Sequence, residues 1–153
     1  MKSSILTIMR IKPVIITFLI VFGLLKPAFS HYYFKDGVCS VLYGNKWGLI
    51  NKKGSFIFRP ISRISITFFE GAGLVKVGYR YGFINKNGKY IIKPTFVFAG
   101  HFQNGLAKIK KNNKFGYINK QGKIVIKPAF DKVNDFDNGF ASVMKNGKWG
   151  IIN

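Results

Sequence analysis

Residues 114–128 read Lys114-Phe115-Gly116-Tyr117-Ile118-Asn119-Lys120-Gln121-Gly122-Lys123-Ile124-Val125-Ile126-Lys127-Pro128, an apolar block, a Gly-containing turn and a second apolar block closed by Pro. Blocks of four to six apolar or alternating residues bounded by turn pairs are the signature of strands. The same pattern recurs 34 residues apart. Lys46-Trp47-Gly48-Leu49-Ile50-Asn51, Arg80-Tyr81-Gly82-Phe83-Ile84-Asn85, Lys114-Phe115-Gly116-Tyr117-Ile118-Asn119 and Lys148-Trp149-Gly150-Ile151-Ile152-Asn153 stand in phase with no insertion. Further columns keep step: Phe34, Phe68, Phe102 and Phe136; Gly37, Gly71, Gly105 and Gly139; Gly54, Gly88 and Gly122; Pro60, Pro94 and Pro128. A fixed period of this length identifies a repeat architecture.

Each unit reads as three strands. In the third, Leu106 to Lys111 forms strand A, Lys114 to Lys120 strand B and Lys123 to Lys127 strand C, with Pro128 ending strand C by withholding a ladder donor. The A–B turns are Gly44-Asn45, Gly78-Tyr79, Asn112-Asn113 and Asn146-Gly147, and the B–C turns centre on Lys53-Gly54, Asn87-Gly88 and Gln121-Gly122. Gly and Asn accept positive φ, so both sets predict type I′ or II′ hairpin turns and antiparallel pairing. A looser stretch, such as Ala129 to Asn138, then leads to the next unit. The fold class is therefore all-β: tandem antiparallel hairpin or meander repeats, about three strands per unit, forming a repeat stack or a partly closed barrel. The units run over about 34–67, 68–101, 102–135 and 136–153, the last incomplete.

The motif Lys-aromatic-Gly-apolar-Ile-Asn-Lys-x-Gly-Lys, followed by an apolar strand and Lys-Pro, resembles the WG (also called KWG) repeat of bacterial proteins. The resemblance covers residues 34 to 153. It implies small β units in chains of varied copy number, often exported, with no established catalytic role. Two departures stand out: the acidic residue after Pro is present only as Asp131, with Arg63 and Val97 in the matching places, and the fourth unit stops at Asn153 before its B–C turn.

Residues 1 to 30 carry Lys2, Arg10 and Lys12, then an apolar run from Val14 to Leu25, then Ala28-Phe29-Ser30. A basic start, a short apolar centre and small residues before the cut make a secretory signal peptide, cleaved near Ser30. The run is shorter than the about 20 residues of a spanning helix. The alternative is an uncleaved N-terminal anchor, the membrane being touched only through this segment. Either way the repeat domain, 31–153, lies outside the cytoplasm, periplasmic or extracellular.

The whole chain has 153 residues, 25 Lys plus Arg, 5 Asp plus Glu and a formal charge of +20. The basicity belongs to the repeats, because residues 31–153 retain 21 basic and all 5 acidic residues. Cations recur in register at Lys46, Arg80, Lys114 and Lys148, at Lys52, Lys86 and Lys120, and at Arg59, Lys93 and Lys127. If units stack, each column becomes a line of positive charge suited to an anionic envelope polymer. The first two columns are the candidate ligand-binding residues. Export disfavours nucleic acid as the natural ligand.

Trp47, Tyr81, Phe115 and Trp149, each with Leu49, Phe83, Tyr117 or Ile151 on the same strand face, read as a stacked aromatic core. The rival reading is a ladder that binds sugar rings or peptide. Cys39 shares a column with Gly73, Ala107 and Ala141, a small-residue core place, and a lone Cys excludes a disulfide framework. Asn51, Asn85, Asn119 and Asn153 fix strand–turn geometry. His31 with His101 could hold copper at a cleaved N-terminus, but the repeat pattern accounts for the chain without it; Asp131, Asp135 and Asp137 lack counterparts in other units, which argues against a metal loop. No catalytic constellation can be assembled, so no enzyme, metal or cofactor is expected. The expected function is an exported non-enzymatic binding or scaffolding module at the cell envelope, with an anionic surface polymer or another protein as partner. The alternative is a structural, self-associating envelope component that pairs through the open edge of its last repeat.

Overall fold

A computed structural model describes residues 34–153. Residues 1–30, expected to be a signal peptide, and His31 lie outside the described residues. Fourteen strands alternate with tight turns, and no helix occurs among the described residues. The first repeat contributes β1 (Val38–Tyr43), β2 (Lys46–Asn51) and β3 (Phe56–Ser62). The second begins with the short β4 (Phe68–Phe69) and continues through β5 (Ala72–Val77), β6 (Arg80–Ile84), β7 (Tyr90–Phe96) and β8 (Phe98–Ala99). The third contains β9 (Leu106–Lys111), β10 (Lys114–Asn119), β11 (Ile124–Phe130) and β12 (Lys132–Val133), and the fourth β13 (Ala141–Lys145) and β14 (Lys148–Ile152).

Strands A, B and C of a repeat pair antiparallel in sequence order, and each A–B hairpin closes over a two-residue turn, as between Tyr43 and Lys46. Asn112-Asn113 and Asn146-Gly147 both have positive φ, the type I′ pattern; in Gly44-Asn45 and Gly78-Tyr79 only the first does, the type II′ pattern. The sheets follow the orders β1-β2-β3-β5-β6-β7, β11-β10-β9-β8 and β12-β13-β14, and none closes on itself. The repeats form a partly open stack, with no closed barrel among the described residues.

Three local expectations are corrected. The B–C turns are not two-residue primed turns. In Asn51-Lys52-Lys53-Gly54-Ser55 only Gly54 has positive φ, Gly54 N–H donates to Asn51 O at 2.9 Å and Asn51 N–H to Ser55 O at 3.0 Å. This is the three-residue loop with a left-handed third residue. The side chain of Asn51 selects it: Oδ1 accepts from Lys53 N at 2.9 Å and Ser55 N at 3.1 Å, and Asn85 and Asn119 repeat both bonds. Second, Pro does not end strand C. Pro60, Pro94 and Pro128 lie inside β3, β7 and β11, where the register shifts opposite the glycine of strand B. A bulge leaves a position unpaired in the ladder, so the missing N–H costs nothing there. Third, the looser stretch is partly strand: β8 and β12 add to strand A of the following repeat. A further hairpin turn opens each repeat at Asp36-Gly37, Glu70-Gly71, Asn104-Gly105 and Asn138-Gly139, every residue at positive φ.

Successive residues of a strand point to opposite faces, so a strand buried on both sides must lie between two layers. Strand B is such a strand. Leu49, Phe83 and Tyr117 are 1%, 0% and 1% exposed, and their neighbours Ile50, Ile84 and Ile118 are buried on the other face. The three core clusters show why. Leu49 and Phe58 of the first repeat pack with Val75 and Ile84 of the second. Phe83 and Phe96 of the second pack with Ala107, Ile109 and Ile118 of the third. Tyr117 of the third packs with Phe136, Ala141 and Val143 of the fourth, with Ile152 against them. Each hydrophobic core thus lies between repeats, where a single unit could not bury it. Cys39 is buried in the first repeat, in the small-residue column.

Candidate functional site: a basic end of the repeat stack

The stack has two ends of hairpins. At one, the A–B turns of successive repeats come together: Ser62 pairs with Val77, Tyr81, Phe98 and Phe115 form a string of rings with centroids 5.9 and 5.7 Å apart, and Asp131 accepts from Asn146 N–H. At the other, the B–C turns meet the turns that open each repeat.

The first column, Lys46, Arg80, Lys114 and Lys148, begins strand B and therefore lines the A–B end. Lys76, Lys110, Lys111 and Lys145 join it from the adjoining strands, and Arg63 from just after β3. Several of these cations lie against rings: Arg63 over Tyr79 at 4.7 Å, Lys76 over Tyr81 at 4.9 Å and Lys110 over Phe115 at 5.1 Å. A ring face attracts a cation, which holds Lys76 and Lys110 over the aromatic string and Arg63 over the separate ring of Tyr79. Asp131 is the carboxylate of this end. It is ion-paired with Lys114, and that contact, with the Asn146 N–H, holds its carboxyl below the usual range. Lys46, Arg80 and Lys148 have no carboxylate partner among the described residues; the guanidinium of Arg80 donates to Thr95 O at 3.3 Å.

The second column behaves differently. Lys86 pairs with Asp36 at 2.8 Å and Lys120 with Glu70 at 3.0 Å, each carboxylate belonging to the preceding repeat. The carboxyls of Asp36 and Glu70 are lowered first of all by these lysines, and Glu70 also accepts from Gly105 N–H at 3.0 Å. These contacts fasten one repeat to the next. Of the three candidate residues Lys52, Lys86 and Lys120, Lys52 alone lacks a carboxylate among the described residues. The signal was present in the sequence, since Asp36 to Lys86 and Glu70 to Lys120 are both separations of fifty residues.

The aromatic column lies at the margin of the core, with Trp47 and Tyr81 packed against two of the core clusters. Trp47, Tyr81 and Phe115 are half-buried, and Trp149 is 54% exposed. They stand beside the A–B turns at the margin of the layers, and the centre is occupied by Leu49, Phe83 and Tyr117 two residues on. Tyr117 shows how closed that centre is: its hydroxyl donates to Asn134 O at 2.7 Å, and burial, with a smaller effect of Asp135, pushes its ionisation up to about 12.

Asp135 pairs with Lys108 at 2.9 Å, so the acidic loop residues Asp131 and Asp135 are engaged by lysines. His101 packs its ring 4.4 Å from Phe69, with Nδ1 buried and without a hydrogen bond; burial lowers its ionisation, partly offset by Asp135. Its copper partner in the sequence reading, His31, lies outside the described residues. Among the described residues no three His, Cys, Asp or Glu side chains group as metal ligands.

The family model for the WG containing repeat matches residues 81–115 and 115–149, two adjacent units in the phase described above. No curated protein matches the chain. Residues 81–149 thus carry WG repeats, and the same motif recurs in phase in the other units of the stack.

Proposed function

We propose that the protein is an exported, non-enzymatic binding module that holds an anionic polymer of the cell envelope against the A–B end of its repeat stack. The observation that carries this reading is the charge asymmetry between the two ends. Among the described residues, cations from all four repeats meet a single carboxylate, Asp131, at the A–B end, whereas the lysines of the opposite end are partly neutralised by Asp36 and Glu70. A row of like charges repels itself and needs a counter-charge, which a polyanion laid along the stack supplies. The cationic signal-like segment at 1–30 supports delivery outside the cytoplasm.

The test is co-sedimentation of residues 31–153 with envelope fractions at low and high salt. Exposed charges are screened beyond about 10 Å at 0.1 M salt. Binding that disappears at high salt is expected; salt-resistant binding, or none at low salt, would refute the proposal.

A second reading, a self-associating envelope component, is favoured by β14, whose outer edge has no strand partner among the described residues. It predicts oligomers that grow with concentration in sedimentation velocity, and a monomer at all concentrations would refute it.

A further inference from the structure

Two junctions of the stack carry the same backbone frame with different side chains. Phe130 pairs with Phe115 as Phe96 pairs with Tyr81, and Lys132-Val133 add to β13 in the register in which Phe98-Ala99 add to β9. The A–B turns that follow these junctions match as well: Asn112-Asn113 have φ of 49° and 61°, and Asn146-Gly147 of 52° and 75°. At the later junction the bend residue is Asp131, and its carboxylate lies in a cradle. One oxygen accepts from the ammonium of Lys114, the other from the N–H of Asn146 at 2.7 Å, with the N–H of Gly147 beside it. Successive backbone N–H groups of a turn make a concavity that attracts anions.

At the earlier junction Val97 stands in the place of Asp131 and Arg80 in the place of Lys114. Val97 is 47% exposed and brings no charge, so cation and turn meet there without a carboxylate of the chain. The Arg80 guanidinium donates to Thr95 O at 3.3 Å, which fixes it beside the end of β7, just ahead of Val97. A guanidinium carries further N–H donors in a rigid fork, and that fork matches a pair of oxygens where an ammonium acts as a point charge. The first junction is built differently. Arg63 holds this column there and lies over Tyr79 at 4.7 Å, and in Gly78-Tyr79 only the glycine has positive φ.

We infer that Arg80 and the turn Asn112-Asn113 form a binding site for one anionic group with a pair of acceptor oxygens, a carboxylate or a phosphodiester, in the position that Asp131 fills from within the chain at the next junction. The guanidinium takes one oxygen, the N–H groups of the turn take the other, and Val97 offers an apolar wall to the carbon that carries the group. This rests on the proposed basic end and names what that end grips: a uronate of an acidic polysaccharide and a phosphodiester of a polyol-phosphate chain present the same pair of oxygens.

The experiment titrates the isotope-labelled full chain with acetate and with dimethyl phosphate at fixed total salt and follows the backbone amides by NMR. The expected result is saturable shifts at Asn112 and Asn113 with none at Asn146 and Gly147; the anion that binds more tightly tells a carboxylate polymer from a phosphodiester one. Val97→Asp should weaken binding at Asn112 at least about tenfold, because a carboxylate of the chain then competes for the same donors. The double variant Val97→Asp with Asp131→Val leaves net charge unaltered and should move the response to Asn146 and Gly147. No saturable response to either anion at Asn112 and Asn113 in the unaltered chain, or one that Val97→Asp leaves undiminished, would overturn the proposal. Envelope binding in the co-sedimentation test without a response at this turn overturns this site alone, whereas a response here without envelope binding supports the site and refutes the polymer reading.

Discussion

Replacing the motif glycine by alanine should have opposite consequences in the third and fourth repeats. At Gly116 the added Cβ would lie 2.4 Å from Ile126 O, 2.7 Å from Pro128 N and 2.9 Å from the Lys127 carbonyl carbon, where ordinary contact begins at 3.4 Å. These are backbone atoms, so strand C itself must retreat by about 1 Å at its bulge. That retreat lifts Ile126 and Phe130 from the buried face of Tyr117. Overpacking of this kind costs about 1–3 kcal/mol, and the loosened contacts add to it, so Gly116→Ala should lose about 3 kcal/mol. At Gly150 nothing lies within 4 Å of the built Cβ, and the φ angle is not in the left-handed region. Alanine there restricts the unfolded chain and should leave stability unchanged or raise it by up to about 1 kcal/mol. Urea denaturation followed by circular dichroism and tryptophan emission measures both. Losses equal within about 0.5 kcal/mol would refute the argument that a close strand crossing is what requires glycine.

Three further outcomes are expected. Tyr117→Phe leaves Asn134 O without its donor and should cost about 1 kcal/mol in the same denaturation assay; because burial raises the tyrosine's ionisation in the fold, the unaltered protein should also lose stability as pH climbs from about 10 towards 12, a loss that is smaller in the variant, where Tyr90, also raised by burial, still contributes. Asp36 and Glu70 have lowered ionisation in the fold, so their contribution is present above about pH 4 and disappears as pH falls below it; Asp36→Asn with Glu70→Gln should flatten that acid limb of the stability profile. Burial lowers His101 as well, so the unfolded chain binds more protons and stability should rise with pH up to about 6.5, a slope that His101→Phe removes.

The repeat period and the A–B hairpins were legible because they rest on local chemistry: Gly and Asn at two-residue turns, and apolar blocks of strand length. Strand A of the third repeat, Leu106–Lys111, coincides with β9. Strand C was read too short because a proline inside a strand is ordinarily a stop, and only the glycine opposite it shows that the chain bulges there and continues. The B–C loop was misjudged for a related reason: the deciding hydrogen bonds come from the preceding asparagine, outside the turn pair. Burial of both faces of strand B followed from Leu49-Ile50, Phe83-Ile84 and Tyr117-Ile118, but the depth of each aromatic did not, since position along the strand sets it. The pairing of Lys86 and Lys120 was hidden because the carboxylates stand in a column completed by Asn104 and Asn138. The columns of lysines alone therefore do not show that Lys86 and Lys120 are ion-paired, as Lys114 is at the A–B end.

The most direct test of the account compares two triple variants for binding of a polyanion such as polyphosphate at low salt. Lys46→Gln, Arg80→Gln and Lys148→Gln remove cations from the A–B end, and Lys52→Gln, Lys86→Gln and Lys120→Gln remove the same number from the other. Exposed contacts each contribute up to about 1 kcal/mol, so the first variant should bind about tenfold or more weakly and the second close to the unaltered protein. Equal weakening by both would mean that net charge alone drives binding, and would contradict the assignment of the site to the A–B end.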